Sequence, residues 1–211
     1  MDACCEEKAE ELKTLRGEHK NVLIVVLVIN AVLFVVEAGA GLFAHSTALL
    51  ADSLDMLGDS LVYGFSLYVL WRTAEWRATA AVLKGIVMAA FGIGVLAEAV
   101  YKMTAAVVPV AATMGIIGLL VLLGNGLCFL LLFRHRSDDL NMRSTWLCSR
   151  NDIIANLSVL LAAAGVRIFD SGWPDILVGA AIAALFLRSA LTVLQESFAE
   201  MHKLKAESTI T

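Results

Sequence analysis

Six long apolar runs constrain the fold of this chain more than any other feature of its sequence. A bilayer core about 30 Å thick is crossed by a helix of about 20 apolar residues. In lipid the backbone must pair its polar groups within the segment, so runs of this length are predicted to be helical. The sequence therefore predicts an all-α, polytopic membrane protein with six transmembrane helices, at roughly 21–43, 47–71, 80–101, 107–133, 144–168 and 174–195.

The composition agrees with a membrane protein. Hydrophobic residues make up 59% of the 211 residues and charged residues 17%, whereas soluble domains average about 45–50% apolar and about 25% charged residues. The chain divides into an N-terminal segment (1–20), a six-helix transmembrane domain (21–195) and a short polar C-terminal tail (196–211). We expect the lipid bilayer as a partner and no nucleic acid.

Lysine and arginine residues predict the orientation of the spans. They are frequent in the first twenty residues, between the second and third spans, between the fourth and fifth spans, and after the sixth. The opposite side of the membrane would hold only Lys102 and Arg167. Because positively charged loops stay on the cytoplasmic side, both termini are predicted to be cytoplasmic. We expect an integral protein of a bacterial inner membrane.

The second predicted span contains three carboxylates, Asp52, Asp55 and Asp59. An acid in the bilayer costs roughly 2.5–3.5 kcal/mol on insertion scales, so acids in a span usually mark the path of an ion or a proton. Asp55 and Asp59 are four residues apart and share one face of a helix. Two acids this close repel each other unless a proton or a metal cation neutralises them. We interpret this pair as metal ligands.

The fifth predicted span repeats this spacing with Cys148 and Asp152. The second span runs inward and the fifth outward, so packing them side by side would place Asp55 level with Asp152, and Asp59 level with Cys148. Four ligands at one depth suit a tetrahedral divalent transition metal. A thiolate favours softer metals, so zinc or cadmium is expected to bind there and magnesium is not.

Other polar residues in the spans receive different interpretations. Asp52 is interpreted as a group behind the metal ligands or a proton-handling group, and whether it is essential stays open. Asn30, Glu37 and Asn125 are interpreted as residues that form hydrogen bonds between helices rather than as ligands. Cys128 in the fourth span is typical of a small apolar filler.

Three features outside the apolar cores have weaker interpretations. His45 is expected to lie at the membrane interface rather than to bind metal. The Cys4–Cys5 pair is either a site for a soft cation or part of a solvated segment. The loop after the fourth span either binds metal loosely at the entrance or is simply solvated, through His135, Asp138 and Asp139.

The second and fifth spans resemble the cation diffusion facilitator family of metal/proton antiporters. Residues 46–59, STALLADSLDMLGD, are similar to the motif of that family's second helix, in which His or Asp is followed four residues later by Asp. Cys148 and Asp152 stand where the family's fifth helix has His followed four residues later by Asp. Recurrent polar positions of the family's first and fourth helices are also matched, by Asn30, Glu37 and Asn125.

The resemblance implies a homodimer whose protomers each carry a transport site between the second and fifth helices, here Asp55, Asp59, Cys148 and Asp152. It also implies export of zinc-like divalent cations, with protons as the counter-ion, and no enzymatic activity. Cys148 replaces the usual His, which tilts the expected selectivity toward softer ions such as cadmium, lead or mercury alongside zinc. The cytoplasmic metal-binding domain that follows the family's sixth helix is not expected here, so dimer contacts are expected in the membrane or the N-terminal segment.

Two other functions are compatible with the pattern. An intramembrane aspartyl protease would use Asp59 and Asp152 as its acids, although Met56 stands where the Gly-x-Gly-Asp element of such enzymes has its first glycine. A non-transporting metal sensor or scaffold would bind metal and release protons without net movement of metal. Metal transport across vesicles distinguishes both from an exporter.

Overall fold

The computed structural model describes residues 17–69, 74–105, 107–133 and 140–210. Within these residues all regular secondary structure is helical, which confirms the predicted all-α fold. The Cys4–Cys5 pair and the loop residues His135, Asp138 and Asp139 lie outside the described residues. Six helices follow one another along the chain: α1 (Gly17–Ala44), α2 (Thr47–Val69), α3 (Ala74–Ala105), α4 (Ala111–Phe133), α5 (Leu140–Phe169) and α6 (Trp173–Ile210).

Among the described residues, five helices are long and apolar enough to cross a membrane. The protein is therefore a polytopic membrane protein. The helix outside this set is α2, whose three aspartates reduce its apolar character although it coincides with the predicted second span. The five apolar spans are Ile24–Ala44, Ala81–Ala105, Ala111–Phe133, Asp152–Phe169 and Trp173–Ala199.

The position of α2 within the bundle explains how it tolerates its acids. α2 packs against α1, α3, α5 and α6. Every residue from Thr47 to Leu54 is buried, so the first two turns of the helix are enclosed by protein. Acids in transmembrane segments generally face the interior of a bundle rather than lipid. The remaining helices pack mainly as pairs, α3 with α6 and α4 with α5.

Apolar side chains cover the outer faces of α1 and α4. Residues three or four apart lie on one side of a helix, and both helices expose large apolar side chains at this spacing. In water such faces would cost about 25 cal/mol for each Å² of exposed apolar surface, so they suit contact with lipid. The exposed residues are Val25, Val28, Val32 and Val35 on α1, and Ile116, Leu119, Leu123, Leu127 and Leu130 on α4.

Four helices, α1, α3, α5 and α6, extend further than the predicted spans. α6 continues to Ile210, past the predicted end of the sixth span at 195, and α5 begins at Leu140 rather than at 144. The additional residues are largely polar or charged. A helix that continues beyond the bilayer carries no apolar run to mark it. The segment interpreted as a C-terminal tail is therefore helical as far as Ile210.

Three helix connections meet at one end of the bundle. The backbone N–H of Val110, just before α4, donates to the carbonyl oxygen of Ala44 at the end of α1, at 3.0 Å. His45, between α1 and α2, is exposed and has a φ of 52°, a left-handed conformation common just after a helix end. The start of α6 also lies at this end. The lysine and arginine pattern predicts that it faces the outside.

Asp175 joins the start of α6 to the start of α2 at this outer end. Its Oδ1 accepts hydrogen bonds from the Ser46 hydroxyl at 2.6 Å and from the Ala48 N–H at 3.0 Å. Its Oδ2 accepts the N–H of Thr47 at 2.7 Å. Two of these donors are N–H groups of the first turn of α2, which have no partner within their own helix, and the third is the hydroxyl of Ser46, directly before it. Asp175 therefore caps α2 from a different helix.

Candidate metal centre

The three aspartates of α2 are all sheltered from solvent. Asp52 is 1% exposed and Asp59 is 8% exposed, while Asp55 is partly buried. Asp55 and Asp59 stand one helical turn apart, as their spacing predicts. The first helix adds a fourth acid, because Glu37 of α1 is 0% exposed. The first two helices thus hold an unusual number of buried carboxyl groups.

A chain of side-chain hydrogen bonds connects α2, α5 and α4 beside these acids. The Nδ2 of Asn156 on α5 donates to the Oδ2 of Asp52 at 2.6 Å. The Oδ1 of Asn156 accepts from the Nδ2 of Asn125 on α4 at 3.0 Å. All three residues are buried. The predicted role of Asn125 as a hydrogen-bonding residue between helices is confirmed.

The Asp52–Asn156 bond indicates the register of α2 against α5. The helices run in opposite directions, because α2 begins at the end of the bundle where α5 ends and α6 starts. With a rise of about 1.5 Å per residue, Asp55 lies about 4.5 Å further inward along α2, and Asp152 about 6 Å further inward along α5. This register supports the prediction that Asp55 and Asp152 share one depth. One turn further inward, the same reasoning matches Asp59 with Cys148.

Of the two predicted ligands on α5, the structure describes the side chain of one. Asp152 is partly buried on α5. Cys148 lies within the same helix, but its side chain is outside the description. Among the described residues, which include Asp55, Asp59 and Asp152, no three acidic, histidine or cysteine side chains converge closely enough to hold a metal ion. The four-residue site stays a prediction, supported by register and not by ligand distances.

Among the described residues, Asn30 and Glu37 of α1 have no hydrogen-bond donor or acceptor on another helix. The Nδ2 of Asn30 donates to the carbonyl oxygen of Val26, one turn earlier in its own helix, at 2.9 Å. Within the described part of the chain, neither carboxyl oxygen of Glu37 has a hydrogen-bond partner. The interpretation of Asn30 was therefore wrong, because its amide finds a partner within its own helix. The interpretation of Glu37 stays a prediction.

The outer end of the bundle contains polar residues that sequence reasoning missed. Lys102 on α3 is buried, pairs with Glu98 at 2.7 Å and donates to the Thr47 hydroxyl at 3.2 Å. Asp175, 0% exposed, holds the first turn of α2. The available signal was an acid directly after Trp173–Pro174, in the first turn of a predicted span. Its partners in α2 are more than 120 residues away in the sequence, so no local pattern identifies them.

Comparisons with known proteins agree with these features. The cation efflux transmembrane domain matches residues 23–201 of the chain. The cadmium, cobalt and zinc/H(+)-K(+) antiporter of Bacillus subtilis (strain 168) is 28% identical over 201 residues, which cover 86% of this chain and 63% of that protein. The zinc transporter ZitB of Yersinia pestis is 29% identical over 194 residues, which cover 85% of this chain and 62% of that protein. The chain spans less than two thirds of the length of these relatives.

The family match covers most of α1 and α6 and all of the helices between them. It therefore includes the aspartates of α2 as well as Asp152 and Asn156 of α5. Cation efflux is a transport function, so the protease interpretation is not carried further. The chain belongs to the cation efflux family, through its transmembrane domain.

Proposed function

We propose that this chain exports divalent transition-metal cations, zinc and cadmium foremost, from the cytoplasm in exchange for protons. The observation that carries the proposal is the Asp52–Asn156 hydrogen bond at 2.6 Å. The register of α2 against α5 that this bond indicates supports a common depth for Asp55 and Asp152. Both relatives described above have zinc in their names. The Bacillus subtilis protein is named as a cadmium, cobalt and zinc/H(+)-K(+) antiporter, and the Yersinia pestis protein as a zinc transporter.

The ligands in this proposal are Asp55 and Asp59 of α2 together with Cys148 and Asp152 of α5. Three carboxylates and one thiolate would form a four-coordinate site that combines hard oxygen ligands with one soft sulfur ligand. Such a site suits zinc and cadmium better than magnesium. Such ligands bind metal in their deprotonated forms, so the arrival of metal releases protons and protonation ejects metal. Movement of helices around the site would expose it alternately to each side of the membrane.

The partners in this proposal are a second copy of the chain and the lipid bilayer. We infer a homodimer formed through membrane-embedded contacts, in a bacterial plasma membrane. The apolar outer faces of α1 and α4 are compatible with contact either with lipid or with another protomer. Cross-linking of the full chain in native membranes tests this part, since a protein that stays monomeric at every expression level contradicts it.

Metal uptake into proteoliposomes tests the site directly. We expect the wild-type chain to take up zinc and cadmium, with weaker uptake of cobalt, nickel and manganese. Asp59→Asn and Asp152→Asn should each abolish uptake, because each removes an anionic ligand. Asp170→Asn is the matched control: Asp170 is exposed in the turn before α6, and uptake should be unchanged.

Two results would contradict the proposal. Intact uptake in both ligand variants would remove the site from the transport path. Metal-dependent proton release without any uptake by the wild-type chain would identify a sensor or scaffold instead.

A further inference from the structure

A pair of buried carboxyl groups lies beside the proposed metal site but is not part of it. Glu37 of α1 and Asp52 of α2 are 0% and 1% exposed. Their carboxyl groups are within hydrogen-bonding reach of each other. Yet three of their four oxygens, both of Glu37 and Oδ1 of Asp52, have no hydrogen-bond donor in the described part of the chain.

A single proton resolves this arrangement. Two ionised carboxylates can only accept hydrogen bonds, so neither can satisfy the other, and burial without a donor is costly for a charged group. If one of the two is protonated, it becomes a donor to the other. The contact then changes from a repulsion into a charge-assisted hydrogen bond, which is among the stronger kinds in proteins.

The surroundings of the pair hold it in place without neutralising it. Asn156 donates to the remaining oxygen of Asp52, and Asn125 supports Asn156, so α5 and α4 contribute neutral amides there. Asp55 is a further negative charge that acts on both members of the pair.

Three buried charged residues of α3 and α6, Lys84, Lys102 and Asp175, lie elsewhere in the bundle. Lys102 and Asp175 are bonded at its outer end. Lys84 is eighteen residues from Lys102 on α3, or about 27 Å along the helix. Among these groups none is placed to replace the proton as the partner of the pair.

We propose that Glu37 and Asp52 together bind one proton, as a carboxylic acid–carboxylate pair distinct from the four metal ligands, and that metal binding at Asp55 releases it. This inference rests on the proposed metal transport. When a divalent cation arrives, its positive charge favours the ionised pair. The proton leaves to water, and the charge of the pair changes from one negative charge to two. By linkage, a proton on the pair weakens metal binding to the same degree.

Calorimetry of zinc binding tests the proposal on the full chain in lipid nanodiscs. Titrations in two buffers with different enthalpies of ionisation give the number of protons released for each zinc bound. Glu37→Gln places a permanent amide donor where the shared proton would lie, so it should retain zinc binding and release about one proton fewer than wild type. Asp52→Asn should show the same loss. Glu196→Gln makes the same chemical change at an exposed position of α6 and should release as many protons as wild type.

Infrared difference spectroscopy provides a second measurement that does not depend on stoichiometry. Zinc should remove the carbonyl band of a protonated carboxylic acid in the wild-type chain and in Glu196→Gln. The same difference band should be weaker in Glu37→Gln than in wild type, or in Asp52→Asn if the first variant does not fold, because the contribution of the shared proton is lost.

Several results would overturn this inference while leaving metal transport intact. These are an unchanged proton count in Glu37→Gln or a carbonyl difference band of unchanged intensity in that variant. Loss of zinc binding in a folded Glu37→Gln would make Glu37 a ligand and also overturn it. A wild-type chain that binds no zinc would overturn the proposed function and this inference together.

Discussion

Asn156 is the residue that ties the candidate site together. Its amide donates to Asp52 on α2 and accepts from Asn125 on α4, so one side chain of α5 positions two other helices. A buried polar atom that loses its partner costs about 1–3 kcal/mol. The bond from Asn156 therefore holds Oδ2 of Asp52, and Asn125 holds Asn156 in turn, while Oδ1 of Asp52 has no donor in the described part of the chain.

Replacing Asn156 with leucine should weaken both the fold and transport. Asn156→Leu has a similar size but leaves Asp52 Oδ2 and Asn125 Nδ2 without partners, which should cost at least about 1–3 kcal/mol of unfolding free energy. The measurement is thermal unfolding in detergent together with zinc uptake. Asn30→Leu is the control, because among the described residues the Asn30 amide donates to Val26 of its own helix and forms no hydrogen bond with an acid of the candidate site. An equal loss of uptake in both variants would contradict the role assigned to Asn156.

Cys148 should determine the preference among soft metals. Cys148→His exchanges a thiolate for an imidazole, which still suits zinc but binds softer ions less well. We expect zinc uptake to be retained and uptake of cadmium to fall relative to zinc. Competition between the two metals in proteoliposomes measures the ratio. If the selectivity of the variant equals that of wild type, Cys148 is not a metal ligand.

At the scale of whole helices, hydrogen bonds to Asp175 fasten the start of α2 to the start of α6. Asp175 supplies acceptors for three donors at the start of α2, where an anionic group is also favoured by the helix dipole. Lys102 adds a bond from α3 to the Thr47 hydroxyl. These contacts hold the outer ends of three helices together while the proposed metal site lies further inward.

Removing one acceptor from this cap should destabilise the protein. Asp175→Asn replaces an oxygen with an amide nitrogen, so at least one charge-assisted bond is lost, at a cost of about 1.5–3 kcal/mol. Asp170→Asn, an exposed change only five residues away, should stay within about 0.5 kcal/mol of wild type. Chemical unfolding in detergent measures both. Equal stability of the two variants would show that the cap contributes little.

Gly179 permits the close approach of α6 to α2. An added Cβ would lie 2.6 Å from the carbonyl carbon of Thr47, whose backbone cannot easily move. Gly179→Ala should therefore cost about 1–3 kcal/mol through overpacking. Gly94→Ala on α3 meets nothing within 4 Å and should leave stability unchanged or slightly raised. A Gly179→Ala variant as stable as Gly94→Ala would contradict this close contact.

At the scale of the whole molecule, the sequence predicted the parts that depend on local pattern. Apolar length identified the helices, and the four-residue spacing identified Asp55 with Asp59 and Cys148 with Asp152 as candidate ligands. It did not predict the partners of Asp175 or the unsatisfied oxygens of Glu37, since both depend on which helices pack together. It also missed the extension of α6 to Ile210, because a helix outside the membrane lacks the apolar run that marks a span.

The central claim is that movement of metal is coupled to movement of protons. The most direct measurement uses the purified wild-type chain in proteoliposomes with an acidic interior, a pH-sensitive dye inside and zinc added outside. We expect zinc to accumulate while the interior becomes more alkaline, and a protonophore that dissipates the pH gradient should stop the accumulation. If zinc accumulates to the same level without the pH gradient, and the internal pH does not change, the coupling of metal to protons is contradicted.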